Sequence, residues 1–157
     1  MTCSARLLLF AALLAASCGG SDLLPPSDGN LALGTWGGND AGVIVTDSAA
    51  HVHVGCTYGD MPGTIPLDAN GHFVVEGSYV LRAYPIQVGP SLPAQFSGTV
   101  RGRVLTLVIA VNDTIEKRPV ALGPISVVYD REPSMGPCPI CRAPQRWMSR
   151  AVLEEGF

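Results

Sequence analysis

Between Ala94 and Arg101 the chain alternates strictly. Ala94, Phe96, Gly98 and Val100 fall on one face, and Gln95, Ser97, Thr99 and Arg101 on the other. Strand side chains alternate with a period of two, so this is a strand with one dry and one wet face. Gly102 permits a turn, and Val104 to Val111 answers with apolar residues at both parities. That pattern predicts a strand covered on both sides. The domain is expected to begin over Leu31 to Gly38, with Gly34-Thr35-Trp36 followed by Gly37-Gly38-Asn39-Asp40 as a turn, and further strands are expected over Ala41 to Thr46, Ala50 to Thr57 and His72 to Leu81. Met61 to Asp68 predicts a short edge strand, because Pro62 and Pro66 cannot donate to a ladder. Asp68-Ala69-Asn70-Gly71 predicts a tight type I′ turn. Tyr84 to Leu92 and Asn112 to Arg118 are connections, and Val120 to Leu122 and Ile125 to Tyr129 are strands split by Gly123-Pro124.

About eight strands joined by tight turns, with no helix between them, make an all-β domain of up-and-down topology. A meander of that size closes into a barrel or folds into two layers; closure removes exposed edges and is the expectation here. The fold class is therefore a small antiparallel up-and-down β-barrel, expected over 31–141.

The N-terminal pattern differs. Met1 to Arg6 carries one positive charge, and Leu7 to Ala16 is continuously apolar. The run is shorter than the roughly 20 residues of a spanning helix but suits a signal-peptide core. Leu14-Ala15-Ala16-Ser17-Cys18 resembles the bacterial lipobox, with Leu14 one position further out than is usual. The resemblance implies a lipoprotein signal peptide over 1–17 and lipid attachment at Cys18. Gly19 after the cysteine implies an outer-membrane lipoprotein facing the periplasm. Ala15-x-Ser17 also fits an ordinary secretory cut. Residues 18–30, with Gly19-Gly20-Ser21-Asp22 and Pro25-Pro26-Ser27-Asp28-Gly29-Asn30, have the composition of a flexible linker.

Composition narrows the function classes. Lys and Arg number 10 against 13 Asp and Glu, a formal net charge of −3 with no basic stripe, which argues against nucleic acid. No Gly-x-Ser-x-Gly, His-Glu-x-x-His, phosphate-binding or dinucleotide motif occurs, so no enzyme and no cofactor is expected.

Of the 5 cysteines, the lipobox resemblance implies that Cys3 leaves with the signal and that Cys18 carries lipid. Val52, Val54 and Cys56 share a strand face, which directs Cys56 inward. In an oxidising compartment it is expected to pair with Cys138 or Cys141, and the sequence does not choose. Cys138-Pro139-Ile140-Cys141 also has redox or metal spacing, but it lies among prolines rather than at a helix start and has no second ligand pair. His51 and His53 stand two apart on a strand and point the same way, so both imidazoles could hold one metal, with Asp47, Asp60 or His72 completing it. Val52 and Val54 take the inner face, so the pair reads first as wet-face histidines. Trp36, Tyr58, Phe73, Tyr79, Tyr84 and Phe96 either fill the core or line an apolar ligand pocket. In the tail, 142–157, Trp147, Met148, Ala151 and Val152 would share one face of a short helix, unless this end is frayed.

Gly34-x-Trp36 resembles the lipocalin and calycin start, which implies a Trp packed across the closed end of the barrel. The chain also resembles a group of uncharacterised bacterial exported proteins. That likeness rests on Trp36-Gly37-Gly38, Cys56 to Gly59, Asp68 to Phe73, Pro93 to Gly102 and a late cysteine. It covers Leu33 to Cys141; the second late cysteine and the tail depart from it. It implies no activity and transfers no functional residue. The expected function is an envelope lipoprotein with a β-barrel binding or interaction domain, anchored to a membrane and contacting an envelope protein or apolar ligand. The alternatives are a structural or assembly accessory without a small-molecule site, and a redox or metal-handling protein.

Overall fold

A computed structural model describes residues 28–81 and 89–138. The signal peptide, Cys18, most of the linker, Tyr84, Cys141 and the tail lie outside the described residues. The eight strands are β1 (Gly34–Gly37), β2 (Ala41–Val45), β3 (Ala49–Val54), β4 (Thr57–Pro62), β5 (His72–Val80), β6 (Leu92–Arg101), β7 (Val104–Asp113) and β8 (Arg118–Tyr129). Each pairs antiparallel with the next, and β8 returns to β1 through Trp36↔Tyr129 and Gly37↔Val128. The result is the closed, all-β up-and-down barrel that the alternation predicts, compatible with a small calycin-like barrel.

Side chains occupy the interior. Trp36, Tyr79, Phe96, Met61, Leu105 and Ile109 are among the largest fully buried residues. Glycines on neighbouring strands make room for the rings. A Cβ on Gly59 would run into the Tyr79 ring, and one on Gly98 would sit 2.6 Å from Phe73. Trp36 Nε1 donates to Ala32 O at 3.0 Å, so its one polar atom is satisfied in the core. The Tyr79 hydroxyl is hydrogen-bonded to Thr57 Oγ1 at 2.7 Å; burial raises its pKa above the ordinary value, partly offset by that bond.

Four local expectations need correction. The apolar run from Ala50 to Thr57 is not one strand. Gly55, with φ of 54°, turns it, and Val54 pairs with Thr57 across a two-residue loop. Cys56 is therefore at a hairpin tip rather than on an inward strand face, and β4 begins at Thr57 and ends at Pro62, the first of the two prolines, instead of running on to Asp68. Ile65 and Pro66 contribute only an isolated bridge, Asn30↔Pro66, although Ile65 is buried.

The Asp68–Gly71 turn forms, but Gly71 alone takes positive φ, at 76°, while Asn70 does not. Gly71 N donates to Asp68 O, and Asp68 Oδ1 accepts from the amides of Asn70 and His72, both at 2.8 Å. The carboxylate thus stabilises a turn that ends in a left-handed glycine, not the type I′ form.

Gly123-Pro124 does not split β8. Leu107 pairs with Ile125 and Ile109 with Leu122, so two residues of β8 oppose one of β7. The bulge absorbs the proline without ending the ladder. Finally, β7 is covered on one face only. Leu105, Leu107, Ile109 and Val111 are buried, whereas Val104 and Val108 are exposed, because among the described residues no second layer packs outside the barrel.

After Tyr129 the chain turns at Asp130 and runs as a strap past the β1–β2 end. Ser134 forms a parallel bridge with Asn39; Asp40 N donates to Ser134 O at 2.8 Å and Ser134 N to Gly38 O at 2.9 Å. Asp40 Oδ1 accepts from Gly136 N at 3.0 Å, and Asp40 O from Gly55 N at 2.7 Å. Cys56 and Cys138 are disulfide-bonded, with Cα atoms 5.4 Å apart. Of the two partners left open by the sequence, Cys138 is the one used.

Candidate functional site

The outer face of β2, β3 and β4 gathers the residues with the most chemistry. Register places Ile44, His51 and Asp60 in one cross-strand row, and Gly42, His53 and Tyr58 in the next. Their side chains face outward because Val43, Val52 and Gly59 between them face in.

His51 Nδ1 donates to Asp60 Oδ1 at 2.6 Å. The His51 and His53 rings meet edge to face with centroids 4.8 Å apart, and Tyr58 lies 5.8 and 5.6 Å from them. The His53 pKa is lowered, first by loss of hydration and then by the neighbouring His51, with the Asp60 charge opposing.

The strap completes the site. Gly42 has no side chain, and a Cβ there would lie 2.8 Å from Pro133, so the strap rests on the sheet beside His53. Ile44, His51, His53, Pro133 and Met135 line a shallow pocket of about 170 Å³ whose surface is mostly apolar. Ile44 and Met135 remain exposed, at 53% and 41%.

Of the companions expected for the histidine pair, only Asp60 is present, and it stands behind His51 rather than in the pocket lining. His72 lies 3.4 Å from Asp68 at another turn. Asp47 borders a separate groove of about 370 Å³ with Leu31, Leu33, Val45 and Ile65. Among the described residues no three His, Cys, Asp or Glu side chains come together to hold a metal ion. Cys138 is occupied by its bond to Cys56 and offers no thiol beside Cys141. The aromatic residues divide: Trp36, Phe73, Tyr79 and Phe96 fill the core, and Tyr58 belongs to the outer face.

Tyr58 and Ile44 escape a reading of single strands, although the Gly55 turn pairs Tyr58 with His53 and the β2–β3 hairpin pairs Ile44 with His51. Nothing local marks Pro133 or Met135, whose position depends on the strap and its disulfide.

Comparison with protein-family models, curated proteins and solved structures finds no match to this chain.

Proposed function

We propose that the protein is a bacterial envelope lipoprotein whose barrel is a non-enzymatic binding or interaction module, anchored at Cys18 and working through its outer surface. The filled interior carries this reading. A barrel of this size has room either for its own side chains or for one small ligand. Here Trp36, Tyr79, Phe96 and Met61 take that room. What remains for contact is outside, where the β2–β4 face combines imidazoles, a tyrosine ring and exposed aliphatic groups over a rigid sheet. Such amphipathic groups are the usual anchors of recognition surfaces.

The anchor rests on the run Leu7 to Ala16 followed by Cys18. An acyl chain contributes about 0.8 kcal/mol per buried methylene, so two or more chains hold a domain at the bilayer. Intact mass of the chain extracted from bacterial membranes tests this. The expected species begins at Cys18 and carries acyl groups, and Cys18→Ser abolishes both processing and membrane retention. A soluble chain with an unmodified Cys18 contradicts it.

A further inference from the structure

We propose that His51, His53 and Met135 form a binding site for monovalent copper on the outer face of the barrel. The inference deepens the reading of that face as a contact surface and rests on it for location only.

Three observations converge. First, the two imidazoles are held side by side by the strand, with ring centroids 4.8 Å apart, and both line the pocket of about 170 Å³. Second, Asp60 accepts from His51 Nδ1, so the neutral ring carries its lone pair on Nε2. A carboxylate behind a ligating histidine is the usual second partner that fixes tautomer and ring orientation at a metal. Third, the strap brings Met135 to the same pocket, where the thioether remains exposed instead of joining the core. An apolar thioether left exposed beside two imidazoles has no packing role that the core requires.

The donor set selects the ion. Thioether sulfur is soft and favours Cu(I), while imidazole accepts copper and zinc alike. Zinc would favour a third nitrogen, thiolate or carboxylate ligand. The carboxylate available, Asp60, is spent on His51, and the third group in the pocket is Met135.

The experiment uses the full chain with its disulfide intact and free thiols alkylated without reduction, so that cysteines do not compete. Anaerobic titration with Cu(I) against a chromophoric Cu(I) chelator reads the affinity. One Cu(I) per chain is expected. His51→Ala, His53→Ala and Met135→Ala each weaken it at least about tenfold, and Asp60→Ala about tenfold to a hundredfold as an orienting partner. Methyl NMR is the second measurement: the Met135 methyl resonance shifts on adding Cu(I), and that of buried Met61 does not.

Three results overturn the assignment: Cu(I) uptake no greater than in the His51→Ala/His53→Ala double variant, uptake unchanged in Met135→Ala, or zinc held more tightly than Cu(I). Acylation of Cys18 is read by mass on the same sample. An unmodified, copper-binding chain therefore removes the anchor alone, and an acylated chain that binds no copper removes the metal site alone.

Discussion

Trp36 packs edge-on against Tyr129, ring centroids 5.1 Å apart at an interplanar angle of 66°, where the first and last strands of the barrel meet. The two residues are register partners, and Trp36 is completely buried. Seam and core therefore share one side chain. Trp36→Ala should cost about 3–5 kcal/mol, as deletion of a large buried ring does, and should leave the Ala32 carbonyl without its donor. Trp36→Phe keeps most of the packing and should cost about 1–3 kcal/mol. Urea unfolding of the two variants checks the order.

The Cys56–Cys138 bond closes a segment of 82 residues, from the β3–β4 tip to the strap. Chain entropy alone makes such a crosslink worth about 4 kcal/mol. Cys56→Ala or Cys138→Ala should lower stability by up to that amount, whereas Cys141→Ala should have little effect. Non-reducing peptide mapping should recover the Cys56–Cys138 peptide, and denaturant melts should separate the three variants.

At Gly59 a Cβ would run into the Tyr79 ring and stand 3.1 Å from a Phe96 ring atom. Overpacking a filled core costs about 1–3 kcal/mol. Gly59→Ala should lose that much, while Gly63→Ala, where a Cβ would meet open space, should lose only the cost of its positive φ of 78°. Thermal unfolding of both distinguishes steric crowding from backbone strain.

The lowered pKa of His53 gives stability a pH dependence of known sign. The unfolded chain, with the ordinary value of 6.5, binds the proton more readily than the folded one. Stability from this residue is complete above 6.5 and is lost as pH falls through the lower, folded value. Urea midpoints between about pH 5 and 8 should therefore fall toward acid, and His53→Gln should flatten that slope.

How much of this was legible in the chain depended on range. Alternation over Ala94 to Arg101 placed Phe96 inward, and an unbroken series of strand and turn signals pointed to a closed meander, because both follow from the period of a strand and the cost of open edges. Gly55 gives no turn signal in the sequence, because the residues around it stay apolar or β-branched and the hairpin tip continues the strand pattern. In the sequence Gly123-Pro124 has the pattern of a break, since a bulge is visible only when the partner strand is in register beside it. Val104 and Val108 suggested a covered strand, but a single-layer barrel leaves outward valines exposed. The histidine pair was visible, and so was its outward direction. Of its partners, Asp60 is one of the three companions the sequence offers, whereas Tyr58 arrives by cross-strand register and Met135 by a strap held through the disulfide to Cys56.

Everything proposed about the outer face requires the barrel to close. Nuclear magnetic resonance on the folded chain tests closure most directly. The account predicts cross-strand contacts linking Trp36 and Gly37 to Val128 and Tyr129, and slow exchange of the Asp130 amide, which donates to Thr35 O at 2.8 Å. An open sheet, with β1 and β8 out of contact and the Asp130 amide exchanging freely, would contradict it.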